Sequence, residues 1–340
     1  MDKHQKMLEA FVENIKANYS SDVGMAIVYG SYVTKTMHEL SDVDVMFVGK
    51  TQRAYELQKQ FIYEGIGYDF FCMPIDRVHK IIEEYSPLIS IIAEGQLIYV
   101  DTDEKKGHFD ALQKRFKTLY ETEPVNKYFN QVETVLKDLK AMAFDHQFAS
   151  IERKVHLQGQ MIYSLMHYLQ LLNRKHFKYG TKQVFDEVQA MELKPKTMLY
   201  YLELLLKETV NSNEIMTLVN TLNHYYDELK RTYQDPFDVE SLKGFYEEGV
   251  STWNKLIDAA KVDDISTAFL AATSLENELS HYRLYYPDLP FLFSNYQSDV
   301  SSLLESAKVA EIAFLHILKT EHIDILAFQS LEEVITYLKS

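Results

Sequence analysis

Apolar and polar positions alternate in two different rhythms along the chain. Residues 3–19 place Met7, Phe11 and Ile15 on one stripe of a helix. Short apolar runs at 25–29 (extending back to Val23), 43–48 and 68–73 then read as strands, bounded by glycine, serine and proline. Residues 54–63 read as a helix. After Pro74, Val78, Ile81 and Ile82 mark another helix, and the segment SPLISIIAEGQLIYV ends in a short strand at 96–100. From about Asp103 the pattern changes. Glycine and proline become scarce, strands disappear, and apolar residues recur every three or four positions. Helices are expected near 104–121, 125–144, 150–176, 182–191, 195–209, 212–231, 238–260, 263–284, 296–319 and 329–339. The clearest breaks are DPFD at 235–238 and YYPDLPFLF at 285–293, because proline interrupts helical hydrogen bonding. The expected class is α+β: a mixed-sheet domain over 1–103, then a larger all-helical domain over 104–340 with a subdivision near 235.

The chain has 340 residues, 46% of them hydrophobic, and contains no apolar run long enough to cross a bilayer. Its first nineteen residues form an amphipathic pattern that carries acids, unlike a signal peptide, so a soluble, cytoplasmic protein without membrane attachment is expected. The single cysteine, Cys72, excludes an internal disulfide, and its place in an apolar strand points to packing. A net charge of -15 argues against a long nucleic acid as substrate and suits a cationic acceptor drawn in by electrostatic steering. A homodimer is compatible with the sequence, which assigns no interface.

Candidate chemistry concentrates in YGSYVTKTMHELSDVDVMFVG. Gly30 ends an apolar strand where backbone without a Cβ approaches a ligand closely, and Ser31 is expected to cap a short helix whose free amides hold phosphate oxygens. Asp42 and Asp44, two apart and expected on one strand, would leave the same face. Oxygen ligands of this kind suit Mg²⁺. His146, His156, His167 and His176 form no recognisable ligand spacing, and the aromatic-rich helices read as core and interface material.

These residues resemble the nucleotidyltransferase superfamily typified by DNA polymerase beta, whose signature is an apolar residue, Gly, Gly or Ser, about ten residues, then two acids separated by an apolar residue. Tyr29, Gly30-Ser31 and Asp42-Val43-Asp44-Val45 stand at those positions. The family also has a third carboxylate on a later strand, matched here by Asp69 in GYDFFCMP. The wording SDVDV, and the helix, Gly and Leu-Ile-Tyr that end at residue 99, look like small bacterial antibiotic adenylyltransferases acting on aminoglycosides or lincosamides. Thr34-Lys35 departs from the Arg-Gly usual there.

The resemblance implies that Asp42, Asp44 and Asp69 bind Mg²⁺, with Asp69 completing the second metal site or taking the acceptor's proton. It further implies that Gly30 and Ser31 hold the phosphates of a triphosphate, ATP being expected. In LLNRKHFKYGTKQVFDEVQAMELKP, the lysine that reaches toward the phosphates in such proteins is matched by Lys182, within a basic group of Arg174, Lys175, Lys178 and Lys182 that reads equally as a solvated helix end. The implied activity is transfer of a nucleoside monophosphate, AMP by expectation, to a hydroxyl of a small acceptor. The alternatives are adenylylation of a protein or tRNA, and a non-catalytic nucleotide-binding protein. Neither Arg153 nor Arg174 has a histidine at the spacing used by the helical HEPN ribonucleases.

Overall fold

The computed structural model describes residues 3–208 and 210–340. Its amino-terminal part is a five-stranded mixed sheet built from β1 (Val23–Tyr29), β2 (Asp44–Gly49), β3 (Lys59–Tyr63), β4 (Ile66–Pro74) and β5 (Gln96–Val100), in the order β3-β4-β2-β1-β5. β2 and β4 are parallel, and the other neighbours are antiparallel. One face of the sheet carries Ala26, Val28, Val45, Phe47, Phe70 and Cys72. These pack on Leu8, Phe11 and Ile15 of α1 (Lys3–Asn18), the residues of the apolar stripe and their neighbours. Cys72 is buried and unpaired, as a packing residue would be.

The opposite face has a different fate. Ile27, Met46, Val48 and Met73 enter one continuous core with the helices that follow. α2 (Ser31–Thr34) is a single turn after β1. α3 (Ile75–Glu83) and α4 (Ser90–Ala93) lie between β4 and β5. α5 (Asp103–Thr122), α6 (Phe129–Phe148), α7 (Ile151–Asn173), α8 (Val184–Ala190), α9 (Met198–Leu205) and α10 (Ser212–Thr232) complete this unit. Polar side chains fasten the layers. Buried Gln170 of α7 donates to the carbonyls of Tyr85 and Ser86, and Gln113 of α5 donates to those of Ile92 and Gly95.

Contacts divide the chain into two compact units, Met1–Gln234 and Asp235–Ser340. The second packs α11 (Phe245–Lys261), α12 (Ile265–Ser280) and α13 (Val300–Thr320) together, and the short α14 (Leu331–Leu338) follows with no buried residue. Its own core gathers Trp253, Leu256, Leu275, Leu303 and Phe314. The segment 285–293 is anchored by Glu276, whose carboxylate pairs with Arg283 and accepts the Leu292 amide at 3.0 Å. Among the described residues, no helix is long and apolar enough to cross a membrane.

One expected element changes type. Residues 54–63 are not a helix: a 3-10 turn over Gln52–Leu57 leads into β3, which pairs with β4 from Lys59↔Phe70 to Tyr63↔Ile66. The two residues between the strands, Glu64 and Gly65, have φ of 51° and 76°, the backbone that a tight hairpin of right-handed twist demands. Cross-strand stacking of Phe61 on Tyr68, 5.1 Å between centroids, outweighs the local helical pattern.

Candidate active site

The acids lie at one end of the sheet, and their placement follows from strand register. Tyr29, the last residue of β1, is opposite Asp44, the first of β2. Continuing the parallel register Val45↔Phe70 back by one residue sets Asp69 beside Asp44. Side chains alternate between faces, so Tyr29, Asp44 and Asp69 share the face that also carries Met46 and Met73. Fully buried Val43 and Val45 on either side of Asp44 hold this orientation. Asp42 is not on the strand. It lies in the segment leading into β2, half-buried, while Asp69 is exposed.

Gly30 forms the other side of the acid group. Its backbone (φ 70°, ψ −149°) is one that L side chains rarely adopt, and a Cβ there would stand 2.2 Å from Asp44 Oδ2. Absence of a side chain therefore lets the turn close against the carboxylate. Burial, and then the charges of Asp42 and Asp69, push the Asp44 carboxyl up to about 6, partly offset by Lys182. Tyr29 is driven far above the ordinary phenol range, chiefly by burial and then by Asp44, Asp69 and Asp42. A carboxylate in this setting gains from an incoming cation, and the donors are all oxygens, so the residues fit a hard divalent ion. Among the described residues, however, no three acid, histidine or cysteine side chains stand close enough together to form a ready-made metal cage.

Beside this group lies a pocket of about 250 Å³. Its walls come from Tyr29, Gly30, Ser31, Thr34 and Thr36 on the sheet side and from Tyr179, Thr181 and Lys182 on the helical side. Lys182 Nζ donates to the Thr36 carbonyl at 2.8 Å, bringing the expected lysine to the expected turn across 146 residues of chain. Asp42, Asp44 and Asp69 do not line the pocket; Gly30 joins it to them. Ser31 is not the helix cap. Gly30 occupies that position, Ser31 begins the single turn, and no side-chain cap hydrogen bond forms, because Gly30 is the residue whose backbone turns the chain.

The turn carrying Lys182 is set by side chains to which the sequence pattern assigns no role. Glu187 accepts the amides of Lys178 at 2.9 Å and Tyr179 at 3.1 Å, and Gly180 and Gln183 both have positive φ. His176 Nε2 lies 3.0 Å from Glu94 at the end of α4, and this contact, ahead of other causes, keeps Glu94 below the usual carboxylate range. Only the Tyr-Gly-Thr stretch at 179–181 signalled a turn. The basic group divides: Lys178 and Lys182 both line the pocket, whereas buried Arg174 donates to the carbonyls of Leu172 and Tyr120 and Lys175 sits over the Tyr120 ring at 4.3 Å.

Among solved structures the chain is similar to a nucleotidyltransferase-like protein from Exiguobacterium sibiricum, at 12% identity over 95% of this chain and 94% of that one, with a TM-score of 0.40. No curated protein matches it. The family described as polymerase beta nucleotidyltransferase matches residues 12–104, the span that holds the sheet, Gly30 and all three acids. With this match over the sheet that presents them, the chain carries at its amino-terminal end a nucleotidyltransferase domain of the polymerase beta superfamily.

Proposed function

We propose that this protein transfers a nucleoside monophosphate, adenylate from ATP, to a hydroxyl of a small, cationic acceptor, with Mg²⁺ as cofactor. One observation carries the reading: Asp44 is held half-buried against a side-chain-free turn, within the field of Asp42 and Asp69, an arrangement unfavourable for the protein alone and favourable once positive charge arrives.

The acceptor oxygen attacks the α-phosphorus, the bond from that phosphorus to the bridging oxygen breaks, and pyrophosphate leaves. Gly30 and Ser31 receive the β- and γ-phosphate oxygens at the pocket wall they form. Lys182 exchanges the Thr36 carbonyl for phosphate oxygen and offsets the charge of the leaving group. Exposed Asp69 takes the proton from the acceptor hydroxyl. Magnesium held by Asp42, Asp44 and Asp69 would supply neutralisation of the triphosphate charge.

Pyrophosphate release from ATP and Mg²⁺, measured with and without aminoglycosides, lincosamides or cell lysate, tests the proposal. Release that requires a small amine-bearing acceptor supports it. A nucleotide-induced thermal shift without release under any of these conditions would replace it with a binding role, and label on protein or tRNA would replace the acceptor class.

A further inference from the structure

Acidity is unevenly shared between the two units. Residues 235–340 contain 18 Asp and Glu against 7 Lys and Arg, a net of -11 out of the chain's -15. Within this second unit lies a pocket of about 490 Å³, between the segment before α11 and the carboxy-terminal end of α12. Its wall is aromatic. The Phe237 ring stands 4.7 Å from Tyr285 and 6.1 Å from Tyr282, and Tyr282 stands 4.8 Å from Phe245. Tyr282 is buried, fixed by its packing, while the other three rings are half-buried and keep surface toward the pocket.

The charged side chains lining this wall are Asp238 and Glu278, with His281 as the remaining titratable group; no lysine or arginine lines it. Glu278 is in the last turn of α12 and Tyr282 follows just past that helix's end, and both line the pocket. The nearest guanidinium in sequence, Arg283, is committed elsewhere: it pairs with Glu276 and donates to the carbonyls of Leu289 and Pro290. Asp238 spends one oxygen on the Glu240 amide at 3.1 Å, leaving its charge uncompensated by any cation of the pocket wall.

We propose that this pocket is a binding site for a compact organic cation of the alkylammonium class, methylated or quaternary, seated on the aromatic wall and balanced by Glu278 and Asp238. Ring faces attract such a cation through their quadrupole, and its methyl groups gain from the apolar surface. An anion would meet two carboxylates. A small hydrated metal ion would find too few oxygen ligands to replace its water. The site shares no residue with the nucleotidyltransferase domain and does not depend on the reaction proposed above.

Calorimetric titration of the full chain with choline, and with its uncharged isostere 3,3-dimethylbutan-1-ol, tests the assignment. Saturable choline binding is expected, roughly tenfold tighter than that of the isostere. Glu278→Gln and Tyr285→Leu should each weaken it about fivefold or more with an unchanged helical circular-dichroism signal, and Asp44→Asn should leave it untouched. Equal binding of the isostere, no saturable choline binding, indifference to both pocket substitutions, or loss of binding in Asp44→Asn would each overturn the proposal.

Discussion

Gly30 and Asp44 are a matched pair: the carboxylate occupies the space that a side chain at position 30 would take, with Oδ2 2.2 Å from where its Cβ would be. Gly30→Ala must move one or the other, and it also forces alanine into a backbone region reserved for glycine. A loss of roughly 2–4 kcal/mol in denaturant unfolding of the amino-terminal unit is expected, together with loss of nucleotidyl transfer. Wild-type stability in this variant would show that the turn is free to relax.

Asp44→Asn removes the charge that burial and two neighbouring acids oppose. Turnover should fall by three orders of magnitude or more while the fold is retained. Because the native carboxyl is raised to about 6, the folded state holds its proton more tightly than the unfolded chain between about 4 and 6, so this group lowers stability as pH rises through that window. Without metal at pH 7, Asp44→Asn should therefore melt higher than wild type, by on the order of 1–2 kcal/mol. Thermal melts at pH 4 and pH 7 check both parts, since the advantage should shrink at the lower pH.

Lys182→Ala separates binding from architecture. Its one hydrogen bond to the Thr36 carbonyl is half-exposed and should count for little in stability, less than about 1 kcal/mol. The KM for the triphosphate should rise about tenfold or more. Initial rates against ATP concentration, alongside a melt, decide this; an unchanged KM would remove Lys182 from the nucleotide's surroundings.

Burial depresses His146 and His167 below the ordinary imidazole range, so the fold favours their neutral forms. Their contribution is present above the unfolded value near 6.5 and is lost as pH falls below it, where the unfolded chain takes up protons that the fold resists. These two groups should thus lower the unfolding free energy between pH 7 and pH 5, against the opposite trend from Asp44, and the His146→Gln, His167→Gln double variant should lose that share in parallel denaturation curves.

Glu276→Ala should strand Arg283 and the Leu292 amide, costing the second unit about 3–5 kcal/mol. The chain's one tryptophan, Trp253, is buried in that unit's core, so its fluorescence reports the loss directly. A denaturation midpoint that does not shift would mean the loop 285–293 is held by its aromatic residues alone.

Legibility in the sequence follows how locally each feature is encoded. β5 and α10 could be placed almost to the residue, because Gly95 and Asn211 punctuate them and their interiors keep a clean rhythm. β3 was hidden. Its five residues are all exposed and lack an inward-outward contrast, and the hairpin turn at Glu64-Gly65 shows only in the backbone. Asp44 and Asp69 could be placed on strands and brought side by side in principle, whereas Asp42 sits just outside β2, where pairing ends. Thr36, Tyr179 and Thr181 could not be named as pocket residues. They meet across more than 140 positions through a single lysine contact, and nothing in either stretch encodes the other.

The glutamine fastenings have a consequence for how a ligand comes and goes. Gln170 and Gln113 clamp the helical layer onto backbone carbonyls at 85–86 and 92–95, and the shared core runs unbroken between them. Gaping of the sheet away from those helices would strip several buried amide bonds at once. Beyond buried Phe177, the short stretch from Lys178 to Gln183 is held mainly by the Glu187 carboxylate and the Lys182 bond to Thr36. On the proposed function, nucleotide and product would exchange through a doorway a few residues wide, and hydrogen exchange should find that doorway opening far more often than the walls around it.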